Sequence, residues 1–212
     1  MKTDLENLDW RYKIENYFFR YQKITNEIRN IKVFYSDSEP NLSIQINLLD
    51  FPHALGLKKL AYFKDWSANK INIWIQSGKF IKKMKEKSNS KVTNSIINQI
   101  EAKIFVWEKY LLFLEGVKLK TLVLSNVNLS QHLNFFRGLM WYDDKRYAIV
   151  GLNKNSKSDL YKHDYCHFYT AISYTNTKIS KLLILGKSIK KVDFIKKIWL
   201  NKIETNRLYN TN

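Results

Sequence analysis

The sequence predicts an α+β fold, an antiparallel β-sheet with helices gathered on one side. Three observations lead there. Apolar residues recur at helical spacing near the N-terminus and through a long middle segment. Leu42, Ile44, Ile46 and Leu48 alternate with Ser43, Gln45 and Asn47, the period of a strand with one buried face. The last third is a run of short strand-like segments. Helices, a hairpin, helices and then adjacent strands is the order of an α+β domain.

In chain order, Leu5, Leu8, Tyr12, Phe18, Tyr21, Ile24 and Ile28 place one or two amphipathic helices within residues 1–30. Ile31 to Asp37 and Leu42 to Leu49 flank the turn residues Ser38, Glu39, Pro40 and Asn41, which predicts a hairpin. Phe51 to about Phe63 reads as a short helix with Pro52 in its first turn, so His53 stands where a strand delivers the chain into a helix. Further helices are expected over Ile71 to Lys85 and Asn94 to Leu114. In the second of these Ile97, Ile100, Ile104, Trp107, Leu111 and Leu114 form one packing face without chemistry. Strands follow at Lys120 to Leu124, at Phe135 to Trp141 and Arg146 to Leu152 around an Asp143, Asp144, Lys145 turn, and at Tyr165 to Tyr174 and Lys181 to Leu185. Val192, Ile195, Trp199 and Ile203 predict a closing helix over about 190–205.

Two prolines and six glycines leave no linker-like stretch, so residues 1–212 read as a single domain with a core over about 31–190. One cysteine, Cys166, excludes an internal disulfide and fits a reducing, cytoplasmic setting. No stretch approaches the roughly 18 apolar residues of a membrane span, and the first ten residues do not resemble a secretory signal. The net charge of +17, from 36 Lys and Arg against 19 Asp and Glu, points to a polyanionic partner such as nucleic acid. An anionic membrane surface is the lesser alternative. Only Arg11, Arg20, Arg29, Arg137, Arg146 and Arg207 are arginines, and a chain rich in Asn, Ile and Lys carries part of its charge as coding bias.

A P-loop, a Gly-rich dinucleotide turn, a nucleophile elbow and paired zinc cysteines are all missing, and no cofactor is expected. Without clustered carboxylates there is no expected seat for catalytic metal ions, and Asp143 and Asp144 read as turn residues. Metal-free RNA cleavage uses the substrate 2′-hydroxyl as nucleophile and needs a base near neutral pKa, an acid, and cations at the phosphate. Histidine suits the first need, and His53 is followed closely by Gly56, Lys58 and Lys59. His163 and His167 flank Cys166 in a strand entry, which spaces them poorly for chelation. Tyr169, Thr170, Ser173 and Tyr174 follow, either as hydroxyls offered to a phosphate or simply as sheet formers.

The string from Asn47 through Asp50, Phe51, Pro52, His53, Ala54, Leu55, Gly56, Leu57, Lys58 and Lys59 to Leu60 resembles the aromatic-x-His-Leu-x-Gly-Leu-x-Lys-Leu stretch of one nuclease family. That family is the fourth phage-associated branch of the barnase, EndoU, colicin and RelE-like (BECR-fold) nucleases. The similarity continues through Gly78, Lys79, Phe80 and Ile81, the Ile97 to Leu114 helix, the hairpin at Arg146 to Leu152 and the strand ending at Ser173, about residues 30 to 190 in all. Ala54 departs from the family's usual Leu. The resemblance implies an RNase fold with a helical insertion and a metal-independent endoribonuclease that leaves a cyclic phosphate. It implies His53 as acid/base residue and Thr170 or Ser173 as a hydroxyl donor to the phosphate. Lys58, Lys59, Lys79, Arg146 and Tyr169 are the accompanying RNA-binding candidates. A toxin or a protein of phage and mobile-element conflict is implied likewise, with a neutralising antitoxin or immunity protein as second partner. Two other readings stand beside it: a noncatalytic RNA-binding protein on the same fold, its 15% aromatic content available for base stacking, and a partner-binding module kept soluble by its lysines.

Overall fold

Residues 9–35, 42–60, 63–82, 84, 94–130, 133–142, 146–155, 164–174 and 186–197 are described in this computed structural model. The N-terminal periodicity produces one helix, α1 (Trp10–Glu27), opened by the Asp9 carboxylate, which accepts from the Arg11 backbone N–H at 2.9 Å. Trp10, Ile14, Tyr17, Phe18, Tyr21 and Ile24 are its buried stripe, while Leu5 and Leu8 lie outside the described residues. The chain leaves α1 directly into β1 (Ile28–Phe34), which pairs antiparallel with β2 (Leu42–Gln45) as the hairpin reading expects. Its turn, Ser38 to Asn41, is outside the described residues.

After β2 come a short helix α2 (Asp50–Ala54), a 3-10 turn (Leu57–Lys59) and α3 (Ala68–Gln76). The helix expected from Ile71 to Lys85 therefore starts earlier, at a Ser67 cap whose Oγ accepts from the Lys70 N–H. It breaks at Gly78, whose φ of 68° is a left-handed conformation, before helix resumes over 79–82. α4 (Asn94–Leu114) has the bounds its periodicity gave. Four long strands then run up and down, β3 (Thr121–Ser130), β4 (Leu133–Tyr142), β5 (Tyr147–Lys154) and β6 (Asp164–Tyr174), each antiparallel to the next. The Asp143, Asp144 and Lys145 turn and the strand expected at Lys181 to Leu185 fall outside the described residues.

Two expectations about the sheet need correction. It is mixed rather than antiparallel, because β2 lies parallel to β6, with Leu42 opposite Asp164 and Gln45 opposite His167. A parallel pair needs a long connection, and here α2, α3, α4 and three strands supply it. Sitting between β1 and β6 also buries Leu42, Ser43 and Ile44 together, where simple alternation anticipated a solvent face. Ser43 is satisfied there by Asn30, whose Nδ2 donates to its Oγ at 2.9 Å. The second correction concerns the C-terminus. Lys191–Lys196 is not the start of a helix but strand β8, antiparallel to β1 with Phe194 opposite Ile31 and Val192 opposite Val33. Val192 and Phe194 alternate, and the outer edge of β1 offers backbone groups to pair with. The helical spacing leaned on Trp199 and Ile203, which lie outside the described residues.

The sheet order is β7-β3-β4-β5-β6-β2-β1-β8, where β7 is Lys187–Ser188. Its two ends are consecutive pieces of one segment. Ile189 N–H donates to Thr121 O at 3.4 Å on the β3 side and Lys190 N–H to Phe34 O at 2.8 Å on the β1 side, so the sheet curls round and is bridged by residues 187–196. The curl explains α4. Val106, Trp107, Tyr110, Leu111, Phe113 and Leu114 are buried, more than the one face expected, as befits a helix surrounded by protein. α1, α2 and α4 share the main core with Val123, Leu139, Val150 and Ala171. No helix among the described residues is long and apolar enough to cross a membrane.

The opposite sheet face carries a smaller cluster of Leu124, Phe135, Met140, Ile149 and Ile172. Phe135 lies over the directly paired Gly138 and Gly151. A Cβ on Gly138 would stand 2.8 Å from Phe135 Cε2, and one on Gly151 2.9 Å from both Phe135 Cδ1 and Thr170 Cγ2. Gly151→Ala is therefore expected to lower stability by about 1–3 kcal/mol through overpacking. Denaturant midpoints check this, and pairing it with Phe135→Leu should recover part of the loss. A single variant as stable as wild type would show that the ring moves aside freely.

Candidate active site at the His53 turn

The turn that carries His53 is built from local hydrogen bonds and apolar anchors. Asn47 Oδ1 accepts from the Leu49 N–H at 3.0 Å, Asp50 N–H donates to Asn47 O at 3.0 Å, and the Tyr21 hydroxyl of α1 donates to the same carbonyl at 3.2 Å. Pro52 sits in the first turn of α2, where a backbone donor would have no helical acceptor. The helix anticipated to run on to Phe63 stops after five residues, because Gly56 turns left-handed at φ 66° and its N–H closes on His53 O at 2.9 Å. Phe51, Leu55 and Leu57 point into the core and are fully buried, which leaves His53 exposed at the surface.

His53 is fixed from the sheet. Its Nε2 lies 3.1 Å from the carbonyl oxygen of Tyr169. Along β5 and β6, Gly151 faces Thr170 while Leu152 faces Phe168, so Tyr169 is the extra residue of a β-bulge. A carbonyl only accepts, so Nε2 carries the proton and the neutral ring keeps its lone pair on Nδ1. The arrangement orients one histidine whose Nδ1 has no partner among the described residues.

A second group reaches the same turn from α4. Lys103 Nζ donates to Ala54 O at 3.3 Å, and its stem crosses Gly56, where a Cβ would lie 3.4 Å from Lys103 Cδ. The glycine of the His-x-x-Gly element thus serves both the left-handed turn and the passage of this lysine. Burial, and then the charge of Lys59, push the Lys103 amine down to about 8. Lys59 itself donates to Gln99 Oε1 at 2.8 Å, and Gln99 and Lys103 are neighbours four apart on α4. Sequence reasoning passed over Lys103 because it treated α4 as packing. The available signal was a lysine between the core residues Ile100 and Ile104.

Asp50 lies on the inner side of the turn. Burial pushes its carboxyl up to about 7, partly offset by a hydrogen bond from the Asn47 backbone. Its charge is felt by Tyr21 and Tyr110, both raised mainly by burial. Asp50 Oδ2, the Tyr110 hydroxyl and Trp107 Nε1 are buried without partners among the described residues.

The sequence candidates distribute unevenly around this centre. Lys58 and Lys59 are exposed on the 3-10 turn directly after Gly56. Tyr169 supplies the carbonyl, and its ring packs against the smaller apolar cluster. Thr170 adjoins it on that same outer face. Ser173 faces Ala148, on the helix side with Ala171, about 10 Å further along the strand than Thr170. Thr170 is thus the hydroxyl beside the bulge, and Ser173 is separated from it. Arg146 lies with its guanidinium 4.8 Å from the Phe105 ring, and Lys79 is exposed beside Gly78; no described hydrogen bond joins either to His53. His167 pairs in register with Gln45 and Asn153, Cys166 is buried and free, and His163 lies outside the described residues. Among the described residues no three His, Cys, Asp or Glu side chains converge. No family model, curated protein or solved structure matches the chain, so the chemistry of the site has to be argued from its own residues.

Proposed function

We propose that the chain is a metal-independent endoribonuclease with His53 as its acid/base residue. The observation that carries this reading is the exposed His53 ring, held through Nε2 by the Tyr169 carbonyl so that Nδ1 is left to take a proton. In the mechanism we infer, Nδ1 accepts the proton of a ribose 2′-hydroxyl, the 2′-oxygen bonds to the adjacent phosphorus, and the bond to the 5′-oxygen breaks. The leaving oxygen is protonated by the histidinium or by water, and the product ends in a 2′,3′-cyclic phosphate. Lys58 and Lys59 supply positive charge at the phosphate, and Thr170, beside the bulge on the outer sheet face, and Ser173, on the helix face further along β6, are the candidate hydroxyl donors. The net charge of +17 supports a polyanionic substrate. The resemblance around His53 supports a cytoplasmic role as a toxin or conflict protein, with an antitoxin or immunity partner. A BECR-type arrangement of the α+β fold belongs to the same proposal.

The test is cleavage of a defined oligoribonucleotide in excess EDTA by wild type, His53→Ala and His53→Gln. Glutamine can still donate to the Tyr169 carbonyl but has no base, so both variants are expected to lose at least about 100-fold in rate. Wild-type activity that vanishes with EDTA would exclude the metal-free mechanism. RNA bound by all three proteins and cut by none favours the noncatalytic RNA-binding reading, for which the basic, aromatic-rich composition is the supporting observation.

A further inference from the structure

We propose that Lys103, together with Lys59, forms the seat for one RNA backbone phosphate beside His53; this rests on the RNA reading above. Four observations carry it. Lys103 reaches the His53 turn from α4 and binds the carbonyl of Ala54, the residue next to His53. Lys59 reaches the same stretch of α4, where its Nζ donates to Gln99 Oε1 at 2.8 Å one helical turn before Lys103, and its charge lowers the Lys103 amine. Lys59 is partnered by a neutral amide, Gln99, and the described ion pairs, Arg11 with Asp9, Arg20 with Glu115 and Lys191 with Asp193, include neither lysine. Finally, the stem of Lys103 lies across Gly56 and is partly buried there.

Two neighbouring cations without a carboxylate partner among the described residues are an unsatisfied arrangement, since a half-buried charge needs a counter-charge to offset its lost hydration. A phosphate diester between them supplies that counter-charge and turns repulsion into two charge-assisted hydrogen bonds. The turn that Lys103 meets carries Asp50 and His53 on α2 and Lys58 and Lys59 on the 3-10 turn. Asp50 is the one carboxyl of that turn, and its Oδ2 is buried. Glu101 and Glu108 on α4 itself are exposed, and Asp164 lies five residues along β6 from Tyr169. With its amine at about 8, Lys103 is partly neutral just above physiological pH. Phosphate binding then draws a proton onto it, so affinity has to fall as pH rises through that region.

The probe is a 2′-O-methyl oligoribonucleotide, which lacks the nucleophile and cannot be cut. Its affinity is read by fluorescence anisotropy at low salt from pH 6.5 to 9.5. Wild type is expected to weaken several-fold between about pH 7 and 9, and Lys103→Arg to bind at pH 7 with little change over that range. Lys103→Met, checked by circular dichroism to be folded, is expected to lose about tenfold at pH 7. Binding by Lys103→Met within twofold of wild type, or identical pH profiles for wild type and Lys103→Arg, overturns the proposal. Absence of RNA binding by wild type overturns it together with the RNA reading. Tight binding that depends on Lys103 without cleavage of an ordinary oligoribonucleotide retains the phosphate seat and removes only the nuclease.

Discussion

Trp107→Ala is expected to cost about 3–5 kcal/mol, a large share of the 5–15 kcal/mol that holds a typical domain folded. The indole is fully buried and packs edge-on against four rings: Tyr21 at 4.9 Å, Tyr110 at 5.3 Å, Phe51 at 5.5 Å and Phe168 at 5.6 Å. These rings come from α1, α2, α4 and β6, so the cavity left by alanine cannot close by moving one side chain. Phe51 and Phe168 are also the core anchors nearest His53 and Tyr169, so the hydrogen bond that orients the histidine should loosen as well. Trp107→Phe should cost much less, because it keeps most of the volume and removes an indole N–H that has no partner among the described residues. Urea midpoints followed by circular dichroism check the ordering. An alanine variant within about 1 kcal/mol of wild type would show that the core repacks around the gap.

The second large effect is a dependence of stability on pH that Asp50→Asn removes. The folded carboxyl stands near 7 and the ordinary value is 3.8, so between these pH values the unfolded chain releases a proton that the folded protein keeps. The unfolded state therefore gains with rising pH. Asp50 lowers stability progressively from about pH 4 to 7 and by a constant amount above, in total about 2–4 kcal/mol after allowing for its partial exposure. Asparagine keeps an oxygen to accept the Asn47 backbone N–H but has no charge to desolvate. Its melting temperature should match wild type near pH 4 and exceed it at pH 8. Equal differences at both pH values would mean that the carboxyl is hydrated when folded.

Local signals in the sequence were read correctly where the structure is local. The six apolar positions from Ile97 to Leu114 locate α4, and alternation with turn residues between locates β1 with β2 and β4 with β5. What escaped was decided by partners far away in the chain. Nothing near Leu42 announces that it will lie parallel to Asp164, and nothing in the sequence from Lys191 to Lys196 shows that β1 has an open edge waiting for it. The site divides in the same way. His53 and the glycine after it are conspicuous in one short string, whereas the Tyr169 bulge and Lys103 join it only through the fold.

The bridging segment 187–196 has a consequence for how the protein is made. β1 leaves the ribosome early, and its partner β8 follows only after the whole intervening chain has been synthesised, an interval of roughly 10–30 s at ordinary elongation rates. Over that interval the outer edge of β1, joined later by that of β3, is open to strand pairing with other chains. A single late segment then covers both. Truncation before Lys187 would leave a nearly full-length chain with two adhesive edges, so the protein's solubility during synthesis depends on a stretch that lies well away from His53 in sequence.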